Sequence, residues 1–97
     1  MEKRVVVICT KKSPYHEYWD FYDKLKEICP DYVHQYEDLW LARTDLSCTE
    51  IVSSLIPFME CGHIEENREV HDGLFVSELG NDKAGFVSIS MWEWIGK

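Results

Sequence analysis

The chain of 97 residues lacks a long apolar run and is poor in basic residues. No apolar run approaches the roughly 18 residues of a membrane-spanning helix, so we expect no membrane segment. The first run, Val5–Ile8, is also too short for a secretory signal core, which favours a cytoplasmic protein. With 10 Lys and Arg against 18 Asp and Glu, the formal net charge is −8. Direct non-specific nucleic-acid binding is disfavoured, because it depends on neutralising phosphates.

Sequence motifs of common catalytic sites are also missing. The chain has no glycine-rich phosphate loop, no dinucleotide fingerprint and no recognisable nucleophile motif, so we expect it not to be an enzyme. Its four cysteines, Cys9, Cys29, Cys48 and Cys61, are widely separated and form no C-x-x-C pair. In a reducing cytosol we expect no disulfides, and we expect Cys9 and Cys29 to be small buried hydrophobic residues.

The negative charge is concentrated in the second half of the chain. Residues 1–48 carry 7 basic and 9 acidic groups, whereas residues 49–97 carry 3 basic and 9 acidic groups. Two interpretations are open. The charge either keeps an exposed surface well solvated, or it forms an acidic face that docks on a basic partner.

The first half reads as alternating strands and helices. Val5–Ile8 is a β-branched run, typical of a strand buried on both faces. Ser13-Pro14 predicts the start of a first helix, which Pro30 ends. Residues 32–43 read as one long strand, bent or bulged near Glu37-Asp38.

The second half begins with a capping box. Ser47 and Glu50 predict the start of a second amphipathic helix, and Pro57 is expected to shorten its last turn. The polar segment 60–73 is a long connection or a small hairpin. Residues 74–79 and 84–89 read as two further strands, and Ser90 with Glu93 predicts a short C-terminal helix.

The predicted order is β-α-β-α-β-β, which indicates an α+β fold, a ferredoxin-like sandwich with a short C-terminal helix, in one domain over residues 1–97. A sheet with helices on one face leaves its other face open. Because Val5–Ile8 is apolar on both sides, that face needs a cover. The segment holding Trp92 and Trp94 supplies it, or a homodimer packs sheet against sheet.

Aromatic residues are unusually dense in the first helix. Helical spacing places most of them in the core, but the excess means that some are exposed, and exposed Tyr and Trp favour protein interfaces. They are Tyr15, Tyr18, Trp19, Phe21 and Tyr22.

Two stretches, Asp38–Ile51 and Gly73–Gly85, resemble the SinR-like family, a ferredoxin-like group related to the small subunit of the CRISPR adaptation complex. The resemblance covers most of the chain and implies the same fold. The adaptation-subunit relatives of this family carry an Asp at the end of the first strand, proposed as a metal ligand for nuclease activity. Here that strand ends Ile8-Cys9-Thr10-Lys11, so the ligand is missing and the activity does not carry over.

The segment 60–73 looks like an acidic insertion beyond what the fold requires, which makes it a place to look for function. Cysteine and histidine are zinc ligands, and Cys61, His63, His71 and Cys48 are the candidate set. A metal would hold in place a loop too polar to pack by itself. The alternative, which the nonstandard spacing favours, is an exposed acidic loop without metal.

We therefore expect a non-enzymatic protein-binding module that inhibits a nucleic-acid-handling effector, as anti-CRISPR-type proteins do. The alternatives are a structural or toxin–antitoxin-type dimer of the same fold and a metal-dependent nuclease. The residues predicted to contact a basic partner combine acidic and aromatic side chains. They are Glu65, Glu66, Glu69, Asp72, Glu78, Trp92 and Trp94.

Overall fold

A computed structural model describes residues 3–12, 18–59, 63–65, 68–70, 72–85 and 87–96. The fold is α+β, with a four-stranded antiparallel sheet and three helices. The strands are β1 (Arg4–Lys11), β2 (Tyr32–Tyr36), β3 (Leu39–Thr44), β4 (His63–Glu65), β5 (Arg68–Val70) and β6 (Gly73–Glu78). The helices are α1 (Trp19–Ile28), α2 (Cys48–Leu55) and α3 (Ile89–Ile95), and a 3-10 turn, Ile56–Phe58, follows α2. No helix in these ranges has the length and apolar character to cross a membrane.

The main sheet has the strand order β2-β3-β1-β6, with β1 inside. Ile8 of β1 lies opposite Trp40 of β3 on one side and Val76 of β6 on the other. Both ladders of β1 run without a register shift. The hydrogen-bonding edges of β1 are therefore both used, and only its two faces remain to be covered.

One face of β1 meets the two longer helices. Val6 and Ile8 are fully buried there. The same core holds the inward side chains of α1 and α2, which are Phe21, Leu25, Ile51 and Leu55. The two buried positions lie four residues apart in each helix, so each helix buries one stripe.

The C-terminal segment covers much of the opposite face. Val7 and Leu41 lie side by side there, and both line the same cleft as Met91 of α3, which is 1% exposed. At the far end of α3, the Arg43 guanidinium stacks over the Trp94 ring, 4.5 Å from its centroid. The chain thus supplies this cover itself, and a sheet-against-sheet homodimer stays a prediction.

The single long strand predicted over residues 32–43 is wrong, because the chain turns back at Glu37-Asp38. Tyr36 lies opposite Leu39, which leaves a two-residue turn between β2 and β3. The turn lacks the glycine or asparagine usual in such hairpins. Tertiary contacts hold it instead: the Thr10 amide donates to the Asp38 carbonyl oxygen at 3.0 Å.

The predicted strand over residues 84–89 is also wrong, and so is the order β-α-β-α-β-β. Residues 83–85 and 87–88 form neither strand nor helix, and α3 starts after Ser88, not Ser90. The Ser88 hydroxyl accepts from the Met91 amide, while the Ser88 amide donates to the Tyr36 hydroxyl at 3.2 Å. This contact across 52 residues fixes the start of the helix.

Other local predictions are confirmed. Ser47 and Glu50 form the reciprocal capping box of α2, and the α-helix ends at Leu55, just before the 3-10 turn that contains Pro57. Segment 60–73 contains a small hairpin, in which β4 pairs with β5. The predicted first helix is shorter in the described residues, beginning at Trp19, and Ser13-Pro14 lies outside them.

Replacing Ser47 with Ala should lower the free energy of unfolding by about 1 kcal/mol, because the Glu50 amide loses the hydroxyl that caps the start of α2. Urea denaturation measures the change. Ser53→Ala is the matched control: Ser53 is exposed within the same helix, and its replacement should have almost no effect. Equal effects of the two substitutions would contradict this role of the capping box.

Met91→Ala should destabilise the fold by about 2–4 kcal/mol, because it opens a cavity beneath α3. Thermal unfolding followed by circular dichroism measures the loss. Ile89→Ala, which removes a side chain 77% exposed on the same helix, should leave the melting temperature nearly unchanged. A Met91→Ala protein as stable as wild type would show that α3 does not cover the sheet in solution.

Candidate partner-binding site

Helix α1 presents a solvent-facing ridge opposite its buried stripe. Phe21 and Leu25 are fully buried and fix the orientation of the helix about its axis. Helical spacing then directs five other side chains outward, among them the cation Lys26; we call the remaining four the α1 ridge. It consists of Trp19, Asp20, Asp23 and Glu27. Trp19 is 71% exposed, so a large aromatic surface faces solvent.

Within the described residues, the three carboxylates of the α1 ridge outnumber the cations beside them, Lys24 and Lys26. Asp20 and Asp23 form no ion pair with any described residue. Glu27 lies 3.5 Å from Lys24 Nζ, an exposed pair three residues apart. Exposed pairs of this kind contribute little to stability, so all three carboxylates remain able to meet a partner's cations.

A cluster of stacked rings lies between α1 and the edge of the sheet. Trp40 is the most deeply buried ring of this cluster, at 1% exposure. The His34 ring stacks on it with a centroid distance of 3.7 Å. Tyr22 and Tyr32 stack or tilt against Trp40 at 5.8 Å and 5.2 Å. Within the described residues, the Trp40 Nε1 hydrogen has no acceptor. These four residues are the aromatic cluster.

An open cleft of about 220 Å³ adjoins the aromatic cluster, with Lys26 as its other lining residue. His34 Nε2 lies 3.0 Å from the Glu37 carbonyl oxygen, which can only accept, so Nε2 carries the hydrogen. The lining offers rings for stacking and one cation. It contains no carboxylate and no Ser or Cys nucleophile, so the cleft suits binding better than acid–base or nucleophilic chemistry.

Lys12 ties the β2–β3 turn to α1. Its ammonium donates to the Tyr22 hydroxyl and lies 3.8 Å from Asp38 Oδ1 and 3.9 Å from Glu37 Oε1. The Lys12 side chain is 9% exposed, so these pairs are better shielded on the cation's side than ordinary surface pairs. The sequence gives no signal for this contact, because its partners lie 10 to 26 positions away along the chain.

Several residues predicted to bind a partner are used within the fold. Asp72 is 6% exposed and accepts a hydrogen bond from the Tyr18 hydroxyl at 2.5 Å. Glu78 lies 3.6 Å from Arg4 Nε. Trp92 and Trp94 are half-buried in α3. Asp72 thus contacts the residue just before α1, whereas Glu78 lies by Arg4 of β1 and Trp94 lies by Arg43 of β3.

The remaining predicted partner residues belong to the acidic insertion. In the hairpin, Glu65 lies opposite Arg68, and Glu69 lies opposite Ile64. Glu66 lies outside the described residues. A role of this segment in binding stays a prediction.

The predicted zinc site also falls mostly in that segment. Cys48 is half-buried as the first residue of α2, and His63 begins β4, but Cys61 and His71 lie outside the described residues. The described ranges hold no group of three His, Cys, Asp or Glu residues arranged to bind a metal. Zinc binding and a metal-dependent nuclease remain predictions.

The described cysteines, Cys9, Cys29 and Cys48, are free thiols. Cys29 is fully buried, and burial raises the pKa of its thiol, while a hydrogen bond with Thr44 partly opposes that shift. A raised pKa keeps the nucleophilic thiolate scarce at neutral pH. The prediction that Cys29 is a small buried hydrophobic residue is confirmed, and Cys9 is half-buried.

No protein-family model, no curated protein and no solved structure matches this chain. The SinR-like resemblance therefore stays a hypothesis based on two short stretches. The functional argument depends on the α1 ridge and its surroundings.

Lys12→Met should lower the free energy of unfolding by about 1 kcal/mol, because the Tyr22 hydroxyl and two carboxylates lose their shared cation. Lys24→Met removes a more exposed cation from the same region and should cost less than about 0.5 kcal/mol. Urea denaturation at low and high salt compares the two variants. If Lys24→Met costs as much as Lys12→Met, the Lys12 network does not fix the turn.

Proposed function

We propose that this chain is a non-enzymatic acidic module that docks on a basic protein surface and inhibits a nucleic-acid-handling effector, as anti-CRISPR-type proteins do. The observation that carries the proposal is the α1 ridge, in which an exposed Trp19 lies among Asp20, Asp23 and Glu27. A tryptophan exposed this far offers a large apolar surface to a partner.

The composition of the α1 ridge suits a protein interface. Tryptophan is among the residues that contribute most to binding when a partner encloses it, and surrounding polar contacts exclude water from it. Carboxylates around that anchor steer a basic partner into place and fix its orientation. The ridge lies on a helix held by two fully buried side chains, so little ordering is needed on binding.

A surface that normally holds nucleic acid is the partner that this chemistry fits best. Such surfaces use lysine and arginine for phosphates and often aromatic or arginine faces for bases. Carboxylates can pair with the same lysine and arginine side chains, and an exposed indole ring can stack on the same aromatic or arginine faces. The net charge of −8 adds a long-range attraction toward a basic channel.

The family assignment is part of the proposal. A ferredoxin-like arrangement is supported by the position of β1 between β3 and β6 and by the helices that connect β1 to β2 and β3 to the later strands. The SinR-like relationship has the sequence resemblance alone as its support. Neither assignment is needed for the docking argument.

A structural or toxin–antitoxin-type dimer of the same fold is the second candidate. The observation that favours it is Phe75, a large apolar side chain that is 67% exposed on the edge strand β6. Salt separates the two candidates. Docking on a basic partner weakens as salt rises, whereas association of two equally charged chains strengthens.

Affinity capture tests the docking proposal. Tagged protein is incubated with nuclease-treated bacterial lysate, washed at moderate and high salt, and the bound proteins are identified and quantified. We expect one dominant, salt-sensitive partner with a basic nucleic-acid channel, displaced by added polynucleotide. Trp19→Ala and Asp20→Lys/Asp23→Lys should each reduce its recovery by roughly tenfold or more, the usual effect of losing an interface anchor.

Asp45→Lys/Asp82→Lys is the matched control, since it reverses two exposed carboxylates that lie outside α1, and it should retain most of the binding. Glu65→Lys/Glu66→Lys/Glu69→Lys tests the acidic insertion separately. Equal loss in the control would mean that total charge, not the ridge, drives binding. Loss only in the insertion variant would move the site from α1 to that segment.

A further inference from the structure

The two edge strands of the main sheet differ in how well they are protected. Edge strands expose unpaired backbone groups, so proteins usually interrupt or cover them. β2 has a register shift between Val33 and Tyr36, and the side chains of Gln35 and Tyr36 bond to residues at the start of α3. β2 is therefore irregular, and the start of α3 packs beside it.

β6 has none of these protections in the described residues. Its six residues pair with β1 in an unbroken register. The stretch Gly73–Ser77 contains no charged residue and no proline, and Glu78 comes last. β6 is also separate from the two-stranded sheet of β4 and β5, so β1 is its only described strand neighbour.

The hydrogen-bond pattern shows which backbone groups of β6 point outward. The Leu79 amide donates to the Val5 carbonyl oxygen at 2.9 Å, directly after the last paired residue. In an antiparallel ladder, alternate residues bond to the same neighbour, so Gly73, Phe75 and Ser77 also face β1. The amide and carbonyl groups of the residues between them point to the open edge; these are Leu74, Val76 and Glu78.

We propose that the open edge of β6 is a homodimer interface. Two copies pair β6 with β6 antiparallel, about a two-fold axis at Val76. Val76 then lies opposite Val76 of the partner subunit, and Leu74 lies opposite Glu78 of the partner subunit. The three outward residues of each copy exchange backbone hydrogen bonds, and the two four-stranded sheets become one continuous sheet.

Phe75 adds a side-chain contact to this pairing. It lies opposite Cys9 on the face that α3 covers only in part, and it is 67% exposed. In the paired edge, Phe75 and the partner's Phe75 are diagonal neighbours on the same face. Diagonal positions are within reach of aromatic side chains, so each ring covers the other.

A second copy is the partner that fits best. A two-fold rotation at Val76 places the outward backbone groups of one β6 directly opposite those of the other. The pairing does not depend on docking by the α1 ridge, and it gives the second candidate function a defined interface. A six-residue strand is short, so we expect a dissociation constant on the order of micromolar. Each chain carries a net charge of −8, so added salt should strengthen the dimer.

Sedimentation velocity over a concentration range of roughly 1 to 500 µM, at low and moderate salt, tests the proposal. The wild-type mass should rise with concentration from 11.5 kDa toward twice that value. Val76→Pro removes an outward amide that β1 does not use, and Phe75→Glu places like charges near the axis. Both variants should remain monomeric over the whole range.

Ile89→Glu is the matched control, because it replaces another highly exposed apolar residue, away from β6, and should dimerise like wild type. Circular dichroism tests whether each variant is folded. If Val76→Pro does not fold, the result for Phe75→Glu tests the proposal. A wild-type chain that stays monomeric at every concentration and salt overturns the proposal. So does dimerisation of folded Phe75→Glu at wild-type strength. Asp20→Lys/Asp23→Lys, which lowers the net negative charge, should dimerise at least as strongly as wild type, and this result separates the interface from the α1 ridge.

Discussion

The structure depends on a central strand that is apolar on both faces. β1 has no free edge, since β3 and β6 bond to it on either side, so its side chains must be buried by elements above and below the sheet. Val6 and Ile8 pack against α1 and α2 on one face. On the other face, Val7 lines a cleft with α3 and the residues before it. The orientation of α1, which exposes Trp19, follows from this requirement.

Part of the acidic surface follows from how three of the cations, Arg4, Arg43 and Lys12, are used within the fold. Arg4 donates to the Leu46 carbonyl oxygen at 2.7 Å and lies near Glu78, and Arg43 stacks on Trp94. Lys12 is enclosed by its own contacts. These three cations make contacts within the fold, and their side chains are mostly shielded from solvent. Carboxylates such as those of the α1 ridge remain exposed, and this makes the outer surface suited to a basic partner.

Features that depend only on residues close together in the chain could be predicted from the sequence. The capping box at Ser47, the shortened helix before Pro57 and the hairpin within segment 60–73 depend on local hydrogen bonds and turn chemistry. The turn at Glu37-Asp38 and the helix start at Ser88 were mispredicted, because distant partners fix them. The exposure of Trp19 could be anticipated only in part: an excess of aromatics was visible, but which one faces solvent depends on how α1 packs.

Site-specific photocrosslinking tests the central claim, docking through the α1 ridge, most directly. A photoreactive amino acid is placed at position 19 in one protein and at position 45, on an exposed loop, in another. Irradiation in lysate should give one dominant adduct at position 19, to a basic nucleic-acid-handling protein, and little at position 45. The adduct should disappear when Asp20 and Asp23 are changed to Lys. The same adducts at both positions, or an adduct that survives the charge reversal, would contradict the account.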